Sequence, residues 1–450
     1  MFRFIFNHFG RIQFVLLVTL CTLFSRVSGQ QPESVLFTNV RIFEADEARL
    51  SPESDVLVRD GRVAAINPAG TTVGHKGRII AGDGRVLMPG LIDVHVHLTF
   101  GSLAAKDLFD KDLTPERVIE LSGKQAEAML LRGFTSVRDV GGPIFDLKAA
   151  IDRGQLRGPK IWPAGAIISQ TSGHGDFRTS DERSRRFFGM PSRAELLGAT
   201  FIADGRDEVL TAVRENLRSG AALIKLMAGG GTSSAYDPID VTQYTFDEMR
   251  AAVEAAEDWG TYVTVHAYTA RAVERAMDAG VKCIEHGQLL ERSTLKKLKR
   301  KGVWLSIQVL MDSSEAMDSA RIEKRRSIIE NQPKVWAEAA KMKLKVAWGT
   351  DFLFEPEQMP FQNEYLVKVG QWYSPAEVLR IATARNADLL ALSGLRSPYS
   401  AEVGRIKVGA AADLLLIKGN PLEDLSIIAN PEENFLIIMQ DGKVHKDLTK

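Results

Sequence analysis

At 450 residues, 45% of them hydrophobic and 25% charged, the chain has an ordinary globular balance, with enough material for one large domain and a smaller companion. Its 57 Lys and Arg balance 57 Asp and Glu, so the net charge is zero and no nucleic-acid partner is expected, since that would normally need a basic surface. The two cysteines are Cys21 and Cys283.

Arg3 and Arg11 precede an apolar run over residues 14–24, FVLLVTLCTLF. The small residues of SRVSG (25–29) then suit a signal peptidase. This pattern predicts a secretory signal peptide over residues 1–29 and a secreted or periplasmic protein, free of the membrane once the signal is cleaved. The run is short for a membrane span, and an uncleaved anchor is the alternative. Cys21 lacks the preceding small residue of a lipoprotein box. Cleavage would leave Cys283 alone, with no intrachain disulfide.

From Val35 the chain reads as short strands: VLFTNVRIF, DVLVRDGRVAAI with Asp60-Gly61 as a hairpin turn, and GRVLMPG. The C-terminal part echoes this with GRIKVGAAADLLLIKG and NFLIIMQDGKVHK, where Asp441-Gly442 is a second hairpin signal. Two β-rich ends predict one small β-sandwich built from residues 30–86 and 396–450. Between them, residues 87–395 alternate apolar runs with helical segments. The strand candidates are GLIDVHVH, TSVRDVG, KIWPAGAIIS, LIKLMAGGG, YVTVHAY, CIEHGQLL, VWLSIQVL and KVAWGTDF. Helices are expected over residues 116–132, 206–219, 245–259, 270–279 and 293–301. Eight strands separated by helices predict an α/β fold, a (β/α)8 TIM barrel. The insertion over residues 171–201, rich in Arg, Ser and Gly, is a candidate lid.

In GLIDVHVHLTFG, Val94, Val96 and Leu98 alternate with His95, His97 and Thr99, so both histidines project from one face of a strand. Such a pair can grip a metal ion, or sit as hydrogen-bonded core histidines. Of the other six, His8, His75, His174, His266, His286 and His445, the pair His266 and His286 ends short apolar runs. The active site of a barrel lies at the C-terminal ends of its strands. There stand His95 and His97 on strand one, Lys225 on strand four, His266 on five, His286 on six and Asp351 on eight. Each has an ordinary structural reading alone: a snorkelling lysine, a helix-capping aspartate, a satisfied core histidine. Six such coincidences at one end of different strands argue for a site.

The set PGLIDVHVH, Lys225, VHAY, IEHG and WGTD resembles the amidohydrolase superfamily. SVRDVGG, ISQTSGHGD and IKLMAGGG narrow the resemblance to the branch holding imidazolonepropionase-like proteins, Xaa-Pro dipeptidases, related carboxypeptidases and ochratoxinase. It covers the chain after the signal. It implies two divalent metal ions, usually Zn2+, one on His95, His97 and Asp351 and the other on His266 and His286. Lys225, carboxylated on its amine, would bridge them. Near two dications a lysine is pushed toward its neutral amine, and neutral amine adds carbon dioxide to form a carbamate. The metals would activate a water and polarise the scissile carbonyl, with Asp351 passing the proton to the leaving amine. His174 in SGHGD and Tyr236 in SSAYDPID are candidates to bind the substrate carbonyl or carboxylate; Arg138 and Asp139 read as a structural ion pair. The implied substrate is a small amide or dipeptide that releases a C-terminal amino acid: a dipeptide, or an N-acyl amino acid such as ochratoxin A. A homo-oligomer is expected. The alternatives are a cyclic-amide hydrolase like imidazolonepropionase, and a non-catalytic binding or assembly relative. The last expects lost ligands, and all six are present.

Overall fold

Both ends of the chain enter one sheet in the computed structural model, which describes residues 34–449 apart from 105, 108, 109, 111, 112, 235 and 312–318. The expected signal peptide lies outside the described residues. The first strands are β1 (Val35–Glu44), β2 (Arg49–Arg59), β3 (Arg62–Pro68), β4 (Arg78–Ala81) and β5 (Val86–Pro89). β5 runs across the expected boundary at residue 86 and belongs to this sheet.

The middle supplies β6 (Leu91–Val96), β7 (Phe134–Asp139), β8 (Lys160–Pro163), β9 (Ile167–Ser169), β10 (Thr200–Ile202), β11 (Ile224–Met227), β12 (Val263–Ala267), β13 (Cys283–His286), β14 (Trp304–Ile307) and β15 (Val346–Trp348). The terminal sheet is completed by β16 (Leu414–Ile417), β17 (Phe435–Gln440) and β18 (Lys443–Asp447), in the order β18-β17-β16-β5-β1-β2-β3, with β4 against β1.

Period-2 alternation gives this sheet two apolar faces. Val35, Phe37, Val58, Leu414, Leu416 and Ile437 share one core, while Val86, Met88, Leu415, Ile417, Phe435 and Ile438 pack into the core of the central α/β body. Both expected Asp-Gly turns form, with Asp60 and Gly61 at φ 51 and 72 and Asp441 and Gly442 at φ 48 and 76, the left-handed pair such hairpins require. The two turns touch each other: a Cβ on Gly61 would lie 3.1 Å from the Asp441 carbonyl oxygen.

The central strands are parallel. β6, β7 and β8 form one sheet, and β10-β9-β11-β12-β13-β14-β15 form another. The amide of Ala222 donates to Pro163 O at 2.7 Å between the two groups, and that of Asp351 donates to His95 O at 2.8 Å. Asn386 Nδ2 donates to both Ile92 O and Trp348 O. The helices Pro115–Leu131, Arg206–Arg218, Phe246–Asp258, Ala270–Ala279 and Arg292–Lys301 begin and end within a residue of expectation. KIWPAGAIIS, expected as one strand, is two, because Gly165 turns the chain at φ 79. The insertion 171–201 carries two one-turn helices, Arg185–Phe188 and Arg193–Leu196, and ends by pairing β10 with β9. No helix among the described residues is long and apolar enough to cross a membrane.

Candidate active site

Parallel strands deliver their C-terminal ends to one side of a sheet. His95, His97, Lys225, His266, His286 and Asp351 all line a single cavity there, of about 360 Å³. Asp351 Oδ1 lies 3.1 Å from His95 Nε2 and 3.3 Å from His97 Nε2. The ligand atoms of His95, His97 and Asp351 fall within 4.8 Å of one another. Ring centroids are 5.0 Å apart for His95–His286 and 4.3 Å for His266–His286. His286 and Asp351 both have left-handed backbones, at φ 78 and 58. Such strain is kept where the surroundings over-determine it.

The outward nitrogens settle what the inward ones offer. His97 Nδ1 donates to Gly141 O at 2.9 Å, His286 Nδ1 to Gln308 Oε1 at 2.7 Å, and His266 Nε2 to Gly230 O at 3.0 Å. Carbonyl oxygens only accept, so each partner fixes a proton on the outward nitrogen and leaves a lone pair on the other. His95 Nδ1 lies 2.9 Å from Glu285 Oε2. Its Nε2 is buried and makes no well-aligned hydrogen bond. Burial, reinforced by neighbouring positive charge, drives His266 and His286 well below the usual imidazole range; burial also lowers His97. His95 alone is raised, because Asp351 and Glu285 outweigh its burial. Lys225 is buried and pushed toward its neutral amine by desolvation. Imidazoles, a carboxylate and a lysine inclined to lose its proton are a donor set that fits borderline dications such as zinc.

Beneath the cavity lies a buried charge network. Glu285 Oε1 accepts from Arg138 Nη2 at 2.6 Å and from Thr264 Oγ1. Arg138 also donates to Val94 O and Tyr262 Oη. The expected Arg138–Asp139 pair does not form: neighbours on a strand face opposite ways. Asp139 instead accepts from the amides of Leu98 and Gly141, and burial pushes its carboxyl up to about 7.

His174 joins the cavity wall and stacks on His266, with centroids 4.1 Å apart. Tyr236 does not join it; the residue is half exposed, and its carbonyl accepts from Ser172 Oγ. Tyr268 lines the cavity in its place, stacked on His286 at 5.0 Å. Two positions beyond His266, it carried the same alternation signal as His97 after His95. Glu285, Gln308 and Asp237 were not legible as site residues. The wall has an apolar side of Ile167, Phe177, Met227, Leu353 and Phe354, and Lys106, Arg321, Glu357 and the ion pair Arg325–Glu355 also line the cavity.

A family model, that of the Amidohydrolase family, matches residues 86–446. Ochratoxinase of Aspergillus niger is 30% identical over 377 residues, covering 80% of this chain and 76% of the relative. A prolidase crystallised with N-methylphosphonate-L-proline has a TM-score of 0.84 at 31% identity, covering 92% of this chain and 100% of that one. The crystal structure of the A. niger ochratoxinase gives 0.78 at 25% identity, covering 93% and 96%.

Proposed function

The chain belongs to the amidohydrolase family and hydrolyses amide or peptide carbon–nitrogen bonds, and from that premise we propose that it works through two divalent ions, zinc by preference, and releases a C-terminal amino acid. The observation that carries this reading is the single cavity that gathers the imidazoles of His95, His97, His266 and His286, buried Lys225 and the Asp351 carboxylate, with the outward nitrogens of His97, His266 and His286 bonded so that inward lone pairs are available. In this reading His95, His97 and Asp351 would hold one ion and His266 and His286 the other, with Lys225, as a carbamate, a ligand that both would share. The bound ions supply Lewis acidity and a water of lowered pKa.

The protein's own groups do the rest. Asp351 is held well below the usual carboxylate range: burial opposes ionisation, but the charge of neighbouring imidazoles, chiefly His95, outweighs it. It accepts the proton of the attacking water and delivers it to the leaving amine. His174 donates to the substrate, at the carbonyl oxygen or the carboxylate, and Tyr268 offers a second donor across the cavity. Phe177, Phe354 and Leu353 seat an apolar acyl group or side chain, and Lys106 and Arg321, on a lining that also holds the Arg325–Glu355 ion pair and Glu357, offer cations to the product carboxylate. The proline carboxylate of the prolidase's ligand supports a leaving group of this kind.

We read the central strands as a closed (β/α)8 barrel and the terminal sheet as a sandwich folded beside it. The Asp351–His95 and Ala222–Pro163 hydrogen bonds and the separate core within the terminal sheet support this.

The test is elemental analysis of the purified protein, followed by turnover of dipeptides and N-acyl amino acids beside their C-terminal amides and a set of cyclic amides. The expected result is about two ions per chain, loss of activity on chelation, and preference for the free acids by about tenfold or more. A metal-free active protein would overturn the metal reading. Equal turnover of acids and amides would overturn carboxylate recognition and bring the cyclic-amide reading forward.

A further inference from the structure

We propose that Asp237 is a positioning residue for His174, holding its imidazole by Nδ1 so that Nε2 is presented to the substrate; this rests on the reading of His174 as a substrate donor.

His174 is gripped on several sides. Its Nδ1 lies 2.6 Å from Ser234 Oγ and 3.0 Å from Asp237 Oδ2. One face stacks on His266. The backbone passes so close at Gly231 that any Cβ there would strike the ring carbon between the two nitrogens. Among the described residues, the one hydrogen-bond partner of Nε2 is Ser233 Oγ, at 3.4 Å.

The Asp237 side chain is fully buried, and Oδ2 also accepts from the Gly231 amide at 2.7 Å. A buried carboxylate is costly unless paired. Here burial is outweighed, chiefly by the hydrogen bond and charge of His174, so the group stays ionised. A carboxylate only accepts, so Nδ1 carries the proton that faces it, Nε2 donates to the substrate from the doubly protonated ring, and flipping the ring would break the hydrogen bond to Oδ2.

The same loop is tied down by other means. Lys324, from the helix Ser319–Met342, donates to the carbonyls of Gly231, Ser234 and Asp237 at 3.2, 2.9 and 2.9 Å. Lys324 therefore holds the backbone and lies 3.8 Å from Asp237 Oδ1, while Asp237 Oδ2 addresses the imidazole. Next to it Tyr236 is half exposed, so Asp237, with Ser233 and Ser234, makes the contact of the segment SSAYDPID with His174.

The experiment uses the full, zinc-loaded chain with 15N-labelled histidine. Resonances are assigned by loss in His174→Ala. In the unmodified protein, His174 is expected to show a slowly exchanging, downfield Nδ1 proton. A proton on Nε2 alone, with Nδ1 bare, would overturn the proposal, and this readout needs neither turnover nor a substitution at Asp237. Asp237→Asn should remove that resonance, lower kcat about 10- to 100-fold and leave the metal content unchanged. In a His174→Ala background the same substitution should add little further loss, because it acts through the ring already removed. Full additivity would mean a merely structural role and would overturn the proposal. If no amide is hydrolysed at all, the amidohydrolase reading of the site fails, while the imidazole resonance still decides the pairing.

Discussion

Glu285 and His286 are adjacent in β13, yet both reach toward His95, which a regular strand forbids. The left-handed φ of 78 at His286 takes that residue off the strand path and lets both side chains point inward. The histidines were legible from their alternation and their places at strand ends. Glu285 was not, because the backbone twist that turns it to use leaves no trace in residue type. Its carboxylate links His95 to Arg138, both buried. On the proposed metal reading, Glu285→Gln should weaken divalent-metal binding about 10- to 100-fold, as loss of a partner behind a metal-binding histidine does. It should also destabilise the fold by about 3–5 kcal/mol, since Arg138 is left as an uncompensated buried charge. The pH dependence has a definite sign. Burial would raise the Glu285 carboxyl, but Arg138 and His95 hold it well below its ordinary value. Its stabilisation is therefore complete above the unfolded carboxyl pKa of about 4.3 and drains as pH falls through the folded value. The melting-temperature gap between the unmodified protein and Glu285→Gln should be widest near neutrality and narrow in acid; a gap constant with pH would count against the pairing.

At the scale of elements, what local sequence encodes was readable and what a distant partner imposes was not. The amphipathic helices and the eight apolar runs declared themselves by period. The break in the third strand did not, because Asn216, fifty residues further on, makes it: its Oδ1 accepts from the Ala166 amide and its Nδ2 donates to the Ala166 carbonyl. A Cβ on Gly165 would come within 2.6 Å of that Oδ1. The helix Ser319–Met342 was hidden too, since Pro333 in its interior is a local signal against helix. The motif WGTD shows the same coupling between strands. Gly349 follows β15, and an added Cβ would strike the backbone nitrogen of His95 and press on Asp93 Oδ1. Asp93 braces His95 N and Thr350 from below. Gly349→Ala should therefore act on both stability and metal. Overpacking of this kind costs about 1–3 kcal/mol. The expected outcome is a melting temperature lower by several degrees together with, on the proposed metal reading, a reduced zinc content. A drop in stability with zinc retained in full would show that His95 is not displaced.

For the whole molecule, the two chain ends are structural partners of the catalytic body rather than appendages. β16 pairs with β5 in the register Leu414↔Pro89 to Ile417↔Val86, and β5 leads directly into β6, which carries His95. Phe435 packs where Gly133 opens β7, too close for any side chain at that glycine. Gln440 Nε2 donates to Thr135 O at 2.8 Å. Buried Lys160, at the start of β8, bonds Asp413 and Asp441 at 2.7 Å each. Ending the chain at residue 400 would remove all of these at once. It would strip the pairing edge of β5, expose Met88 and Val86 to water, and leave Lys160 buried without its carboxylates. An exposed apolar strand edge invites association, and an unpaired buried ammonium cannot be tolerated at its ordinary charge. The truncated chain should therefore accumulate as insoluble protein, even though every cavity-lining residue is retained. Expression at matched levels, followed by the soluble fraction and its zinc content, decides the matter. A soluble, zinc-loaded protein ending at residue 400 would show that the body folds alone and that the terminal sheet is a passenger.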